Sequence, residues 1–201
     1  MATLSESAIA SLLQPYLAPP AAILPQLSVY LDLLIKWNGR TNLTAVRDPE
    51  EIVRRHFGES LFAARHLAPD TPNLLDLGSG AGFPGLPIAL LRPEIQVTLA
   101  ESQNKKATFL REVVRTLGLS ATEVWADRAE SMPAGRQFHT VALRAVDNMV
   151  AAVAAAELRA SHRLVLLTSA AQAPALPSFP NQTQIPVPGT QTSILLIASH
   201  S

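Results

Sequence analysis

A chain of 201 residues, 48% of them hydrophobic, is long enough to bury one full core with a small helical appendage. The absence of cysteine excludes disulfides, thiolate metal sites and cysteine nucleophiles. Sixteen basic and sixteen acidic side chains give a net charge of zero, so overall basicity provides no evidence for a nucleic-acid partner.

The composition also bears on metal binding and location. The five histidines show no metal-ligand spacing, and we expect no metal site. No basic segment followed by an apolar core stands near the N-terminus, and no apolar run approaches the roughly 20 residues of a membrane span. We therefore expect a soluble, cytoplasmic protein with no membrane partner, and we expect a monomer.

Apolar residues at helical spacing predict two helices at the start of the chain, over 5–14 and 22–36. Prolines between them separate the two patterns. Residues 37–44 then have the composition of a helix end followed by a loop.

A third helix is predicted to begin at Asp48, which would act as its cap, with Pro49 at the first position and carboxylates in the first turn. This helix would run to about His66. Together the three helices form a predicted N-terminal helical extension over residues 1–70.

Beyond Pro72 the pattern changes to strands that alternate with helices, which is typical of a doubly wound parallel sheet. The last 38 residues contain no Asp, Glu, Lys or Arg, and their prolines favour extended edge strands. We therefore predict an α/β core domain over 71–201. The predicted strands are 73–77, 95–101, 122–126, 138–143 and 163–168, with edge strands at 182–185 and 193–198, and the predicted helices are 84–91, 103–117 and 147–158.

The most informative stretch is 74–85, where an apolar strand with Asp76 near its end leads into a loop with four glycines. Glycine allows positive φ angles and a close backbone approach that a Cβ would forbid. The pattern predicts a strand, a tight loop and a helix, with a nucleotide cofactor held at the carboxyl end of the strand. A glycine loop that only turns the chain is the structural alternative.

Two cofactors compete for this loop. Residues 80–85 fit the dinucleotide pattern G-x-G-x-x-G, and Glu101 follows about 20 residues later, where a ribose-binding acid is expected. However, Pro84 removes one N–H donor that a pyrophosphate would need. The carboxylate of Asp76 would repel a pyrophosphate, whereas it would attract a cationic sulfonium cofactor with an ammonium group. The pattern D-x-G-x-G-x-G therefore favours S-adenosyl-L-methionine over a nicotinamide dinucleotide.

Two further positions suit such a cofactor. Glu101 ends the second predicted strand, so its carboxylate could accept both ribose hydroxyls, although it could instead cap the next helix. Residues 127–130 follow the third strand, where backbone and a carboxylate could frame an adenine. A solvated turn is the alternative for that segment.

Several short motifs between residues 28 and 147 occur together in a known combination. They are the loop Leu75–Gly85, Arg92-Pro93-Glu94, Glu101-Ser102 with Lys105-Lys106 and Phe109-Leu110, Trp37-Asn38, Asn42-Leu43-Thr44, Arg55-His56, Arg128-Ala129-Glu130 and Arg144-Ala145. In these motifs the chain resembles the bacterial small-subunit rRNA (guanine-N7)-methyltransferase G family, once called glucose-inhibited division protein B.

The resemblance implies a Rossmann-like, class I S-adenosylmethionine-dependent methyltransferase fold that follows a helical extension. It implies methylation of a guanine N7 in the 530 loop of 16S rRNA, so the partner would be 16S rRNA or the small ribosomal subunit. By the family pattern, Gly78, Phe83, Ala129, Glu130 and Arg144 contact the cofactor. With the residues of the loop and the second strand, the predicted cofactor set is Asp76, Gly78, Gly80, Gly82, Phe83, Glu101, Ala129, Glu130 and Arg144.

The implied chemistry asks little of side chains. Guanine N7 carries a lone pair and no proton, so catalysis would consist mostly of positioning. Arg144, at the end of the fourth strand, is the candidate for positioning the substrate through guanine O6 or a phosphate. A surface arginine that caps a carbonyl is the alternative. Candidate contacts to rRNA are Arg54, Arg55, Lys105 and Lys106, for which solvated helix faces are an equal explanation, together with His56.

The chain departs from the family pattern at three places. Thr168-Ser169 replaces a usual Lys-Gly pair, Gly58-Glu59-Ser60 replaces a usual Asp-Ser pair, and the final strand lacks its expected lysine. Missing cations weaken phosphate contacts. Two alternatives therefore stay open: a methyltransferase for another RNA or a small molecule, and a cofactor-binding homologue with weakened catalysis.

Overall fold

The computed structural model describes residues 2–144 and 148–200, which build a seven-stranded sheet with helices on both faces. The strand order is β3-β2-β1-β4-β5-β7-β6. The first five strands in this order are parallel, and β7 runs antiparallel to both of its neighbours. The strands are β1 (Asn73–Leu77), β2 (Gln96–Ala100), β3 (Thr122–Trp125), β4 (Phe138–Arg144), β5 (Ala160–Ser169), β6 (Asn181–Pro186) and β7 (Ser193–Ser199).

The α-helices are α1 (Glu6–Leu13), α2 (Leu24–Thr41), α3 (Pro49–Glu51), α4 (Glu59–Arg65), α5 (Gly85–Leu91), α6 (Asn104–Leu117) and α7 (Met149–Arg159). A π-helical segment, Ile52–Gly58, joins α3 directly to α4. The predicted third helix is therefore continuous, and Asp48 caps it by accepting a hydrogen bond from the Glu51 amide at 2.8 Å. In the described ranges no helix combines the length and the apolar character that crossing a membrane requires.

The structure confirms the doubly wound sheet and the two edge strands of the uncharged tail. Most element bounds agree with prediction to within one or two residues, although β5 begins at Ala160, three residues early. The helix predicted from residue 147 begins at Met149. Its predicted first residue, Asp147, and Ala145 of the Arg144-Ala145 motif lie outside the described residues.

Residues 37–44 contain a helix end followed by a loop, as predicted, but α2 continues to Thr41, five residues beyond its predicted end at residue 36. Asn38 is buried in this helix, and its side-chain oxygen accepts a hydrogen bond from the Thr44 amide at 2.9 Å. The helix ends instead at Asn42, which adopts a left-handed conformation with φ of 47°. Asparagine tolerates that conformation better than most residues, so it can serve as the helix cap.

The N-terminal helices share one hydrophobic core with the sheet. Leu31 of α2 and Phe57 of the π-helical segment belong to the same buried cluster as Leu99 of β2 and Phe109 of α6. A second cluster, which includes Val153, lies between α7 and the opposite face of the sheet. The predicted boundary near residue 70 therefore separates helices from sheet along the chain but not within the core.

Tyr30 connects α2 to the glycine loop. Its hydroxyl donates a hydrogen bond to the Ala81 carbonyl at 2.6 Å, and the ring is fully buried. Its centroid lies 5.0 Å from that of Phe57 and 5.5 Å from that of Phe83. This side chain thus fixes the loop between β1 and α5 against the N-terminal helices.

The variant Tyr30→Phe should lower the free energy of unfolding by about 1–3 kcal/mol, because it leaves the buried Ala81 carbonyl without this donor. Tyr16→Phe is the matched control, since that ring is also buried and its hydroxyl makes no hydrogen bond to a described residue. Urea denaturation measures both values. Equal losses for the two variants would contradict the role assigned to the Tyr30 hydroxyl.

Candidate cofactor and acceptor sites

The glycine loop between β1 and α5 is packed tightly on the fold. Gly78, Gly80 and Gly82 have φ of 75°, 58° and 96°, a region that side chains disfavour. A Cβ on Gly82 would lie 2.7 Å from the Tyr30 hydroxyl oxygen and closer still to Leu86. Gly82 is therefore required by the neighbouring helices, whatever ligand the loop holds.

Asp76 lies beneath this loop and is completely buried. Its Oδ2 accepts a hydrogen bond from the Gly85 amide at 2.9 Å, and a Cβ on Gly85 would come within 2.6 Å of that oxygen. Its Oδ1 has no hydrogen-bond partner among the described residues. Burial raises the pKa of Asp76 to about 7, against the opposing effects of the Gly85 hydrogen bond and the Arg144 charge. Asp76 thus anchors the loop, and its attraction for a cationic cofactor stays a prediction.

A cleft of about 320 Å³ lies at the carboxyl ends of β1, β2 and β3. This is the edge at which open parallel sheets bind ligands, and the volume is within the ~300–1,000 Å³ range of small-molecule sites. It brings together four predicted residues: Gly78, Glu101, Ala129 and Glu130. The other wall of the cleft comes from α7 and the residue before it. Sequence reasoning missed this wall because these residues form no recognisable motif. Its lining residues there are Asn148, Ala151, Ala152 and Ala155.

Glu101 has two roles in the structure. Its Oε2 accepts from the Gly80 amide at 2.9 Å, and its Oε1 accepts from the Gln103 amide at 2.7 Å, just before α6. Glu101 therefore supports the start of α6, which was the alternative expected for it, and it also lines the cleft. A carboxylate has about four lone-pair positions, so two remain for hydroxyl donors.

A larger cleft of about 590 Å³ lies at the opposite end of the sheet, beside the amino ends of β1 and β2. Its charged lining groups, Arg136 and Glu123, form an ion pair with each other. Ligands of doubly wound sheets bind at the carboxyl ends of the strands. We therefore place the functional site at the smaller cleft.

Arg144 lines a second cavity, of about 180 Å³, at the carboxyl ends of β4 and β5. Its Nη2 donates to Glu59 Oε2 at 2.9 Å and to the Arg55 carbonyl at 3.0 Å. Met149 lines this cavity and Asn148 lines the first cleft, so the two spaces are neighbours across the start of α7. Arg144 thus lies in the adjacent space and does not line the cleft. We call this space the acceptor cavity, as the candidate site for a methyl acceptor.

Phe83 and His56 pack inside the fold next to the acceptor cavity. Their ring centroids are 4.9 Å apart, and the Arg144 guanidinium carbon lies 5.8 Å from the Phe83 centroid. The His56 Nε2 is 2.8 Å from the Thr44 hydroxyl oxygen. Burial, with the nearby charges of Arg144 and Arg55, lowers the pKa of His56 to about 3, so the ring is neutral. His56 therefore has no exposed, charged ring with which to make the predicted contact with an RNA phosphate.

The other predicted RNA contacts lie at two separate places. Arg54 and Arg55 reach a groove of about 640 Å³ between the π-helical segment and the turn that precedes β7. Arg54 is half-exposed and pairs with Glu50 at 2.8 Å, whereas Arg55 is exposed. Lys105 and Lys106 lie instead in the first turn of α6. Thr190, Thr192 and Ser193 of the tail line the other wall of this groove.

The structure also places functional groups that sequence reasoning did not select. Glu59 is the clearest of them, because it follows Arg55 by one helical turn and pairs with an arginine 85 positions away. Only its departure from the family pattern drew attention to it. Within residues 2–144 and 148–200, no group of three or more His, Asp or Glu side chains is arranged to hold a metal ion.

Comparison with known proteins supplies the family context. Residues 23–175 match the family model of rRNA small subunit methyltransferase G. The ribosomal RNA small subunit methyltransferase G of Stenotrophomonas maltophilia strain K279a is 46% identical over 133 residues, which are 66% of this chain and 62% of the relative. The chain thus spans about three fifths of the length of the curated relatives it matches.

Solved structures with low sequence identity share the fold. A methyltransferase of Aquifex aeolicus, described as dependent on S-adenosylmethionine, has a TM-score of 0.59 at 13% identity and covers 79% of this chain and 97% of its own. Magnesium protoporphyrin IX methyltransferase of Synechocystis PCC 6803 has a TM-score of 0.57 at 15% identity, with 86% and 97% covered. These similarities confirm the predicted Rossmann-like, class I methyltransferase fold.

The buried carboxyl of Asp76 should make stability depend on pH. Its pKa is about 7 in the folded protein and about 3.9 in an unfolded chain, so ionisation disfavours the folded state. The folded protein has its full stability below pH ~4, where Asp76 is neutral in both states, and it loses stability as pH rises to ~7. Relative to Asp76→Asn, the wild type should lose up to about 4 kcal/mol over this interval, at ~1.4 kcal/mol per pH unit. Denaturant titrations at several pH values measure it, and a constant difference would contradict it.

Proposed function

The chain belongs to the rRNA small subunit methyltransferase G family, and from this membership we propose that it transfers a methyl group from S-adenosyl-L-methionine to N7 of a guanine in the 530 loop of 16S rRNA. The observation that carries the proposal is the cleft at the carboxyl ends of β1 to β3, where the glycine loop meets Glu101. Its substrate would be 16S rRNA or the small ribosomal subunit. That substrate implies a cytoplasmic location.

The residues of the cleft fit this cofactor. The exposed backbone of Gly78 and the two remaining lone-pair positions of Glu101 lie in one cleft, which suits a ligand with a ribose. Ala129 and Glu130 line the same cleft beyond β3, where they would frame the adenine. Gly80, Gly82 and Phe83 shape the loop from within. Asp76 would act through the loop that it anchors.

The proposed methyl acceptor requires no acid–base catalysis. S-adenosyl-L-methionine supplies an electrophilic methyl group on a positively charged sulfur. Guanine N7 has a lone pair and no proton, so no general base is needed, and the protein contributes by holding the acceptor in line at contact distance. Arg144 is the substrate-positioning residue in this proposal, because its guanidinium lines the acceptor cavity beside the cleft.

Basic side chains would hold the surrounding rRNA. We assign phosphate contacts to Arg54 and Arg55, which both line the groove beside the π-helical segment. Arg55 also lines the acceptor cavity, so the groove and the cavity are adjacent. Lys105 and Lys106 are proposed as a second contact at the start of α6. Because each phosphate contact releases counterions, methylation should weaken as salt rises.

The proposal is tested with purified protein, labelled S-adenosyl-L-methionine, and small-subunit particles from a bacterium that lacks the corresponding methyltransferase gene. Mass spectrometry of the 16S rRNA should locate one new methyl group on N7 of the 530-loop guanine. Methylation of another nucleotide, or of a small molecule only, would reject the assigned acceptor. Calorimetric binding of the cofactor without any methyl transfer would instead identify a homologue with lost catalysis.

Glu101→Gln should weaken cofactor binding about 10-fold or more, because hydrogen bonds to a charged group contribute about 1.5–3 kcal/mol. The variant keeps the size of the side chain but loses its charge. Glu94→Gln is the control, since Glu94 is an exposed carboxylate paired with Arg92 away from the cleft. Isothermal titration calorimetry with S-adenosyl-L-methionine measures both affinities. Equal affinities for wild type and Glu101→Gln would remove Glu101 from the proposed ribose site.

A further inference from the structure

Glu59 forms a buried ion pair at the edge of the acceptor cavity. Its Oε2 accepts from Arg144 Nη2 at 2.9 Å, and the side chains of Arg144 and Glu59 are only 11% and 9% exposed. Surface ion pairs contribute little, but removing one partner of a buried pair leaves an uncompensated charge. Glu59 therefore determines both the position and the electrostatic effect of Arg144.

Three groups fix the guanidinium from different sides. Glu59 and the Arg55 carbonyl both accept from the same nitrogen, Nη2. The ring of Phe83 lies against the guanidinium, with 5.8 Å between its centroid and the central carbon. Guanidinium has five N–H donors. Since bonds to the described residues use Nη2 alone, the donors on Nη1 and Nε remain for a ligand in the cavity.

Charge compensation matters for the proposed reaction. The N7 lone pair forms a bond to the methyl carbon, the electrons of the broken C–S bond stay on sulfur, and no proton moves. Positive charge therefore passes from the sulfur to the guanine. An uncompensated arginine beside the base would repel that developing charge, whereas an arginine neutralised by a carboxylate can still donate hydrogen bonds.

We propose that Glu59 is a positioning residue for methyl transfer. It holds Arg144 so that the free edge of the guanidinium donates to guanine O6, and its charge cancels that of the guanidinium while N7 becomes cationic. This inference rests on the proposed function, because it requires a neutral acceptor that gains positive charge. Glu59 does not itself touch the base.

Three variants of Glu59 separate position from charge. Glu59→Gln keeps an oxygen that can accept from Arg144 but removes the negative charge, and it should lower kcat about 10-fold. KM for the small-subunit particle should stay within about twofold, because the unreacted base is neutral. Glu59→Ala removes both functions and should lower kcat further. Glu59→Asp retains the charge, so it should keep more activity than Glu59→Gln.

A more exposed ion pair at the other end of the sheet provides the control. Glu123 pairs with Arg136 beside the amino ends of the strands, so Glu123→Gln should leave kcat unchanged. The double variant Glu59→Gln/Arg144→Gln should react no slower than Arg144→Gln alone, because the guanidinium that Glu59 compensates is then absent. A kcat for Glu59→Gln within twofold of wild type, or no advantage of Glu59→Asp, would overturn the inference.

A measurement without substrate distinguishes this inference from the proposed function. In ¹⁵N spectra of the free protein, side-chain N–H signals of Arg144, assigned with Arg144→Lys, should exchange slowly with water and lose that protection in Glu59→Ala. Unchanged protection in Glu59→Ala would overturn the inference, even for an active enzyme. A wild type that methylates no particle would overturn the proposed function, and these signals would still decide whether Glu59 holds Arg144.

Discussion

The whole site depends on a glycine loop whose backbone is held by hydrogen bonds from three buried side chains. Asp76 accepts from the amide that begins α5, Tyr30 donates to the Ala81 carbonyl, and Glu101 accepts from a third point of the loop. These three groups come from β1, α2 and the end of β2, so the loop is fixed relative to the sheet and to the N-terminal helices together. A loop held this way can present its main chain to a ligand without the entropy cost of ordering it at binding.

Buried ionisable groups give the site its electrostatic character. The pKa of Asp76 is raised to about 7, and the pKa of His56 is lowered to about 3, in each case chiefly by burial. Both shifts favour the neutral form, so between about pH 3 and pH 7 the Asp76 carboxyl and the His56 ring are mostly neutral. The nearby Arg144 guanidinium is paired with Glu59. Such a setting suits a reaction that moves positive charge and transfers no proton.

Local patterns predicted the sheet, the glycine loop and the position of Glu101 at the end of the second strand, because a strand, a turn and a helix start are each encoded within about ten residues. The acceptor cavity was only partly predictable. Arg144 could be selected by position, but its partner Glu59 lies 85 residues earlier at the start of α4, directly after a π-helical segment that leaves no clear sequence signal. The burial of His56 was not predictable for a related reason, since it follows from packing against Phe83. Contacts between distant elements decided these residues.

The N-terminal helices are therefore part of the site and more than an appendage to the sheet. Tyr30 of α2 holds the glycine loop, while the Arg55 carbonyl and Glu59 hold the arginine at the end of β4. Strands alone would present Arg144 at the edge of the sheet with its charge uncompensated and its orientation free. Because the helices share one hydrophobic core with the sheet, a shift of α2 or of the π-helical segment would move the loop and the arginine together. The position of the cleft at the ends of β1 to β3 relative to the acceptor cavity is thus set by the packing of the first 65 residues.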